Sequence, residues 1–128
     1  NPNIEYLGFL ELKEIYSLMQ KSSFLVFPSI WYEGFPMVII EALANGLPII
    51  ASNLGSMSEV IKNNVNGLHF NPGDVNDLIN KIKLLDSDKV KCATLSKNAY
   101  IDYKTNYTSE KNYKILIDIY QKCIESNV

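Results

Sequence analysis

Two acidic residues, Glu33 and Glu41, are separated by seven residues in a stretch otherwise poor in charge. Around Glu41 the run Val38-Ile39-Ile40-Glu41-Ala42-Leu43-Ala44 is apolar nearly all round, the mark of a helix enclosed on most sides. An ionised carboxylate in such a helix is costly unless it is hydrogen-bonded or paired. One reading is a core glutamate satisfied by a backbone amide or a lysine. The other is a carboxylate that accepts hydrogen bonds from a polyol, such as a ribose, lodged against the helix. Between the two acids, Gly34-Phe35-Pro36-Met37 falls where this helix begins, with Pro36 suited to the first helical position. Unpaired N–H groups and the helix dipole favour an anion there, although a glycine at a strand-to-helix turn also fits a simple tight turn. Taken together, the three features describe an anion site flanked by sugar-binding acids, with Glu33 at its mouth.

Other side chains offer less. His69, the single histidine, lies in a short strand beside Phe70 and reads as structural. Trp31 and Tyr32 can line a site or pack within their loop. Ser29 has neither a base nearby in sequence nor a nucleophile-elbow context. Lys62, Lys81, Lys83 and Lys89 read as solvated charges. Cys92 and Cys123 fit neither a metal pattern nor a disulfide framework and read as reduced, partly buried thiols. No His, Cys and Asp cluster has metal-ligand spacing.

Positioning the acids requires a rigid frame, and the chain alternates strand-like runs with helical stripes. Ile4–Leu7, closed by Gly8, is the first strand candidate. Leu12, Ile15, Tyr16 and Met19 form the stripe of a helix ending near Lys21. Phe24–Phe27 is a continuous apolar run, as in a strand covered on both faces. After the loop 28–35 come the helix of about 37–45, a left-handed cap at Gly46, and a strand over Pro48–Ala51. Ser56 and Glu59 have capping-box spacing for a short helix to about Asn63, and Asn64–Gly67 turns into a strand over Leu68–Phe70. Asp74 caps a helix with Val75, Leu78, Ile79, Ile82 and Leu85 on one face. Helices of about 89–104 and 109–126 follow. In the last, Tyr113, Leu116, Ile117, Tyr120 and Ile124 share a face that must dock on something. This order predicts one α/β domain over 1–128 with a doubly wound parallel sheet, carrying C-terminal helices over 89–126. The opening on a strand without the usual preceding βα unit implies that an N-terminal part is missing.

The 128 residues suffice for one domain with a real core. Twelve basic against fourteen acidic residues give a formal charge of −2, the wrong balance for a nucleic-acid groove or an anionic membrane surface. All the basic residues are lysines, so no guanidinium clamp for phosphate exists in this chain. No apolar run approaches the ~20 residues of a membrane span. A soluble, cytoplasmic protein is the expectation.

The run from Phe27 to Ser52, FPSIWYEGFPMVIIEALANGLPIIAS, resembles the donor-site signature of the group 1 (family 4) retaining glycosyltransferases. Ile4 to Gly8, Gly55 to Val60, Asn66-Gly67-Leu68 and Asn71-Pro72-Gly73-Asp74 resemble further stretches of the same family, so the likeness covers about 4–85. It implies a GT-B architecture of two Rossmann-like domains, of which this chain is most of the C-terminal, nucleotide-sugar-binding one. By the resemblance, Glu33 is the catalytic-site acid that contacts the transferred sugar, Glu41 accepts from the ribose hydroxyls, and the Gly34, Phe35, Pro36 and Met37 segment serves the diphosphate or the sugar. Glu59 also matches a family position near the donor. The implied reaction moves a sugar from a nucleotide diphosphate donor to a saccharide or glycoconjugate acceptor with retention, in polysaccharide biosynthesis, with no cofactor and no metal. The implied partners are the nucleotide-sugar donor and, through the missing N-terminal domain, a saccharide or lipid-linked acceptor; lipid-linked acceptors would make the full-length protein peripheral to the inner face of the membrane. Pro36 lacks the N–H that a glycine supplies there, and the basic pair that reaches the diphosphate in the family is absent. The chain alone is therefore expected to fold and to bind nucleotide, but not to transfer sugar. Two alternatives remain open: another GT-B-like enzyme of nucleotide sugars, of epimerase or phosphorylase type, and a non-catalytic interaction module.

Overall fold

The computed structural model describes residues 2–126. Its elements in chain order are α1 (Leu12–Lys21), β1 (Leu25–Phe27), α2 (Met37–Ala44), β2 (Ile49–Ser52), α3 (Gly55–Val60), β3 (Gly67–Phe70), α4 (Val75–Ser87), α5 (Lys89–Asn106) and α6 (Ser109–Ser126). The strands form one parallel sheet in the order β1-β2-β3, with Val26 opposite Ile50 and Ile50 opposite Leu68. Side chains alternate across a strand, and the core divides accordingly. Ile49 and Ala51 join Ile39, Leu43, Met57 and Ile61 on one face. Ile50 joins Leu68, Phe70, Leu85 and Leu95 on the other. Helices thus cover both faces of a Rossmann-like sheet, as the alternating pattern predicts.

β2 is buried throughout because it has a strand on either side and helices above and below. β1 lies at the edge of the sheet and is only half-buried, yet both its faces are covered as its apolar run suggests: Leu25 and Phe27 pack on one core cluster and Phe24 and Val26 on the other. The expected strand at Ile4–Leu7 does not form. A strand needs a ladder partner, and among the described residues this segment pairs with no strand; Ile4 is 75% and Tyr6 93% exposed.

Local chemistry explains the element ends. Gly46 takes φ +64°, and the Gly46 and Leu47 amides donate to the carbonyls of Leu43 and Ala42, a Schellman motif that stops α2. Asp74 accepts from the Asp77 amide at 2.9 Å and starts α4. The expected capping box at Ser56 and Glu59 is not formed. Gly55 adopts φ +53°, which turns the chain straight out of β2 and places Ser56 inside the first turn of α3 instead of at its cap. Ser56 then donates to the Glu33 carbonyl, and Glu59 is exposed.

Lys62 is more than a solvated charge. It pairs at 2.7 Å with Asp102, whose side chain is only 10% exposed and also accepts from Asn66 and Asn106. The buried Asn66 in turn receives the Lys62 amide and donates to the Val60 carbonyl, stapling the turn before β3 to α5. Of the two cysteines expected to be partly buried, Cys92 is, whereas Cys123 is exposed. Cys123 is exposed because α6 packs little of its surface: no α6 residue is buried, and Tyr113, Tyr120 and Ile124 are more than half exposed. Within the described residues α6 meets α5, but most of the face expected to dock stays uncovered.

Candidate functional site

In a parallel α/β sheet, ligands bind beyond the C-terminal ends of the strands, where loops lead into helix N-termini. Here β1 ends at Phe27, and the loop 28–36 delivers the chain into α2. Pro36 is the N-cap, with extended backbone and no side chain capping the helix, so it sits one place before the expected first helical position. The Ile39 amide turns back to the Pro36 carbonyl at 3.0 Å. The Met37 and Val38 amides have no acceptor among the described residues, and the first turn of α2 carries no acidic residue. Two N–H groups and the positive end of the helix dipole are thus left without a counter-charge.

Glu41 lies one turn further along α2. It is half-buried, less enclosed than its apolar neighbours implied, because Met37, Glu41 and Ala44 fall on the side of α2 that lines a cleft of about 860 Å³. Tyr16 of α1, Phe35 before α2, and Tyr103, Lys104 and Tyr107 at the end of α5 complete much of the wall. The Glu41 side chain makes no hydrogen bond or ion pair among the described residues, so the satisfied-core reading of this acid fails. A carboxylate held in a partly apolar wall without a partner can accept two hydroxyl hydrogen bonds. Tyr107 supplies the complementary chemistry. Burial first, and the nearby Asp102 charge second, push its phenol above its usual range, so it stays a protonated donor at neutral pH.

Glu33 is placed differently. Its side chain is half-buried and accepts a 2.7 Å hydrogen bond from Ser29, while its backbone carbonyl accepts from Ser56 at 3.1 Å. Glu33, Gly34 and Pro36 do not line the 860 Å³ cleft, which gathers only Phe35, Met37 and Glu41 of the expected site residues. Trp31 and Tyr32 are 75% and 81% exposed, and the Tyr32 ring packs over Gly55 so closely that a Cβ there would come to 3.1 Å. Among the described residues no group of three His, Cys, Asp or Glu side chains can hold a metal ion. The sequence reading missed the tyrosine wall. Its signal is the spacing of Tyr100, Tyr103 and Tyr107, which puts all three on one side of α5.

Comparison with known proteins fits this frame. The family model for glycosyl transferases group 1 matches residues 1–102. An uncharacterized glycosyltransferase of Methanocaldococcus jannaschii is 37% identical over 109 residues, 85% of this chain and 30% of that protein. The Escherichia coli UDP-Gal:alpha-D-GlcNAc-diphosphoundecaprenol alpha-1,3-galactosyltransferase is 31% identical over 84% of this chain and 27% of its own length. The crystal structure of HepE from Anabaena in complex with UDP superposes with a TM-score of 0.86 at 28% identity, over 94% of this chain and 33% of that one. The same protein has been solved with UDP-glucose. This chain spans about 30% of the length of such relatives. With the two-glutamate segment, the parallel sheet and the family match in agreement, the chain belongs to the group 1 glycosyl transferases.

Proposed function

We propose that this chain is the donor-binding domain of a longer, two-domain glycosyltransferase that moves a sugar from a nucleoside diphosphate-sugar to a saccharide or lipid-linked acceptor with retention. The observation that carries the proposal is the pairing of an unpartnered carboxylate, Glu41, with the uncapped N-terminus of α2 one turn away. A ribose needs acceptors for its hydroxyls, and a diphosphate needs N–H donors; α2 presents both. In the absence of arginine, the Met37 and Val38 amides provide the positive potential, stabilising the charge that grows on the leaving diphosphate as an oxyanion hole does. Glu41 anchors the ribose, and Glu33 meets the transferred sugar. This division of labour calls for no metal.

HepE supports a uridine diphosphate donor, because it is similar over nearly the whole chain and was crystallised with UDP and with UDP-glucose. The Escherichia coli relative supports a lipid-linked saccharide acceptor, consistent with polysaccharide or glycoconjugate synthesis on the cytoplasmic side of a membrane. No helix among the described residues is long and apolar enough to cross one. Calorimetric titration of the chain with UDP, GDP and ADP tests the donor assignment. Saturable binding with UDP preferred is expected. Equal binding of all three, or heat from none, contradicts it.

A further inference from the structure

Ser29 carries no chemistry in sequence, yet the structure sets it at the centre of the loop that holds Glu33. Its Oγ lies 2.7 Å from Glu33 Oε1, receives the Trp31 amide at 3.3 Å and stands 3.5 Å from the Trp31 carbonyl. A hydroxyl has one proton to give, and an ionised carboxylate only accepts. Since O–H···O bonds lie at roughly 2.5–3.0 Å, the proton goes to Glu33 and the Trp31 carbonyl contact is incidental. The Trp31 amide occupies an oxygen lone pair and so turns the hydroxyl towards the carboxylate. Ser29 itself is half-buried and follows β1 by two residues, which ties this bond to the sheet.

We propose that Ser29 is a positioning residue for Glu33. Together with Ser56, which fixes the Glu33 carbonyl from α3, it clamps the acid by backbone and side chain and leaves the second carboxylate oxygen, Oε2, free for a sugar hydroxyl. The proposal rests on the reading of Glu33 as the group that meets the transferred sugar. A glutamate held in one rotamer before the ligand arrives does not lose that freedom on binding. Ser29 therefore strengthens binding of the sugar part of the donor and not of the nucleotide part.

The test compares dissociation constants of UDP and UDP-glucose for the 128-residue chain, its S29A, S29T and E33Q variants, with melting temperatures measured alongside. UDP-glucose should bind the native chain more tightly than UDP. That ratio should vanish in E33Q, fall about threefold to tenfold in S29A with UDP affinity and melting temperature unchanged, and recover in S29T, which keeps the hydroxyl. A native ratio in S29A alongside a lost ratio in E33Q would overturn the clamp while leaving the role of Glu33 standing. A drop in UDP affinity and melting temperature in S29A would also overturn the clamp, making the serine merely structural. If E33Q keeps the native ratio, or the native chain does not favour UDP-glucose, the reading of Glu33 fails and the clamp with it.

Discussion

The proposed donor site turns on Glu41. A half-buried carboxylate with no hydrogen bond or ion pair among the described residues is poorly explained by stability, because it loses hydration and gains nothing from the fold. Glu41→Gln should therefore weaken UDP binding about tenfold, the worth of a charge-assisted hydrogen bond, without lowering the melting temperature; calorimetry and a thermal melt check both halves. That this acid stands apart was legible in sequence because a lone acid in an apolar helix has few explanations. Its exposure was not, since the cleft that uncovers it is built by α5, far along the chain. His69 behaves in the opposite way. Its imidazole is pushed below the ordinary value of 6.5, chiefly by burial, with the Ile61 and Met57 carbonyls partly opposing, and Nε2 is buried with no partner. The fold thus favours the neutral ring, and the unfolded chain takes up the proton more readily. Stability from this source is complete above about pH 6.5 and is lost as pH falls from there through the lower value of the folded state. Urea midpoints at about pH 7.5 and about pH 5.5 should differ in the native chain and differ less in His69→Gln.

At the scale of elements, the junction of β2, β3 and α3 depends on Gly67. A Cβ built there would lie 2.3 Å from the Ile49 carbonyl oxygen and 2.8 Å from Ile61 Cγ2. The first of these is backbone of the central strand and cannot move aside cheaply. Gly67→Ala should cost about 3 kcal/mol, at the upper end of overpacking effects, read as a lower urea midpoint with the slope unchanged. Most elements were legible because their signals are local: the stripe of α1, the glycine that ends α2, the aspartate that starts α4. The failures share a cause. Ile4–Leu7 has strand-like residues, but strand formation depends on a partner that local sequence does not specify. The capping-box spacing of Ser56 and Glu59 was overridden by the positive φ of Gly55, and Ser56 serves Glu33 instead. In sequence Asn66 shows only as part of a turn and a family-like stretch, because one buried amide leaves no periodic trace of its partners, yet it links Lys62, Val60 and Asp102.

Across the whole molecule, the core and the terminal helix are energetically distinct. The buried residues belong to the sheet, α1 to α5 and their connections, whereas α6 buries none of its side chains. Ending the chain after Thr108 should keep a single cooperative unfolding transition with only a small shift in midpoint, as followed by far-ultraviolet circular dichroism. The cleft is a product of the same scale, since its walls come from α1, α2, α5 and the start of α6. The central claim is that the first turn of α2 and Glu41 together receive a nucleoside diphosphate. Residue-resolved amide shifts of the chain during a UDP titration test it most directly. Saturable shifts concentrated at Gly34, Phe35, Met37, Val38 and Glu41, with one common dissociation constant, are the predicted result. Shifts confined to other parts of the fold, or none at these residues at saturating UDP, would contradict it.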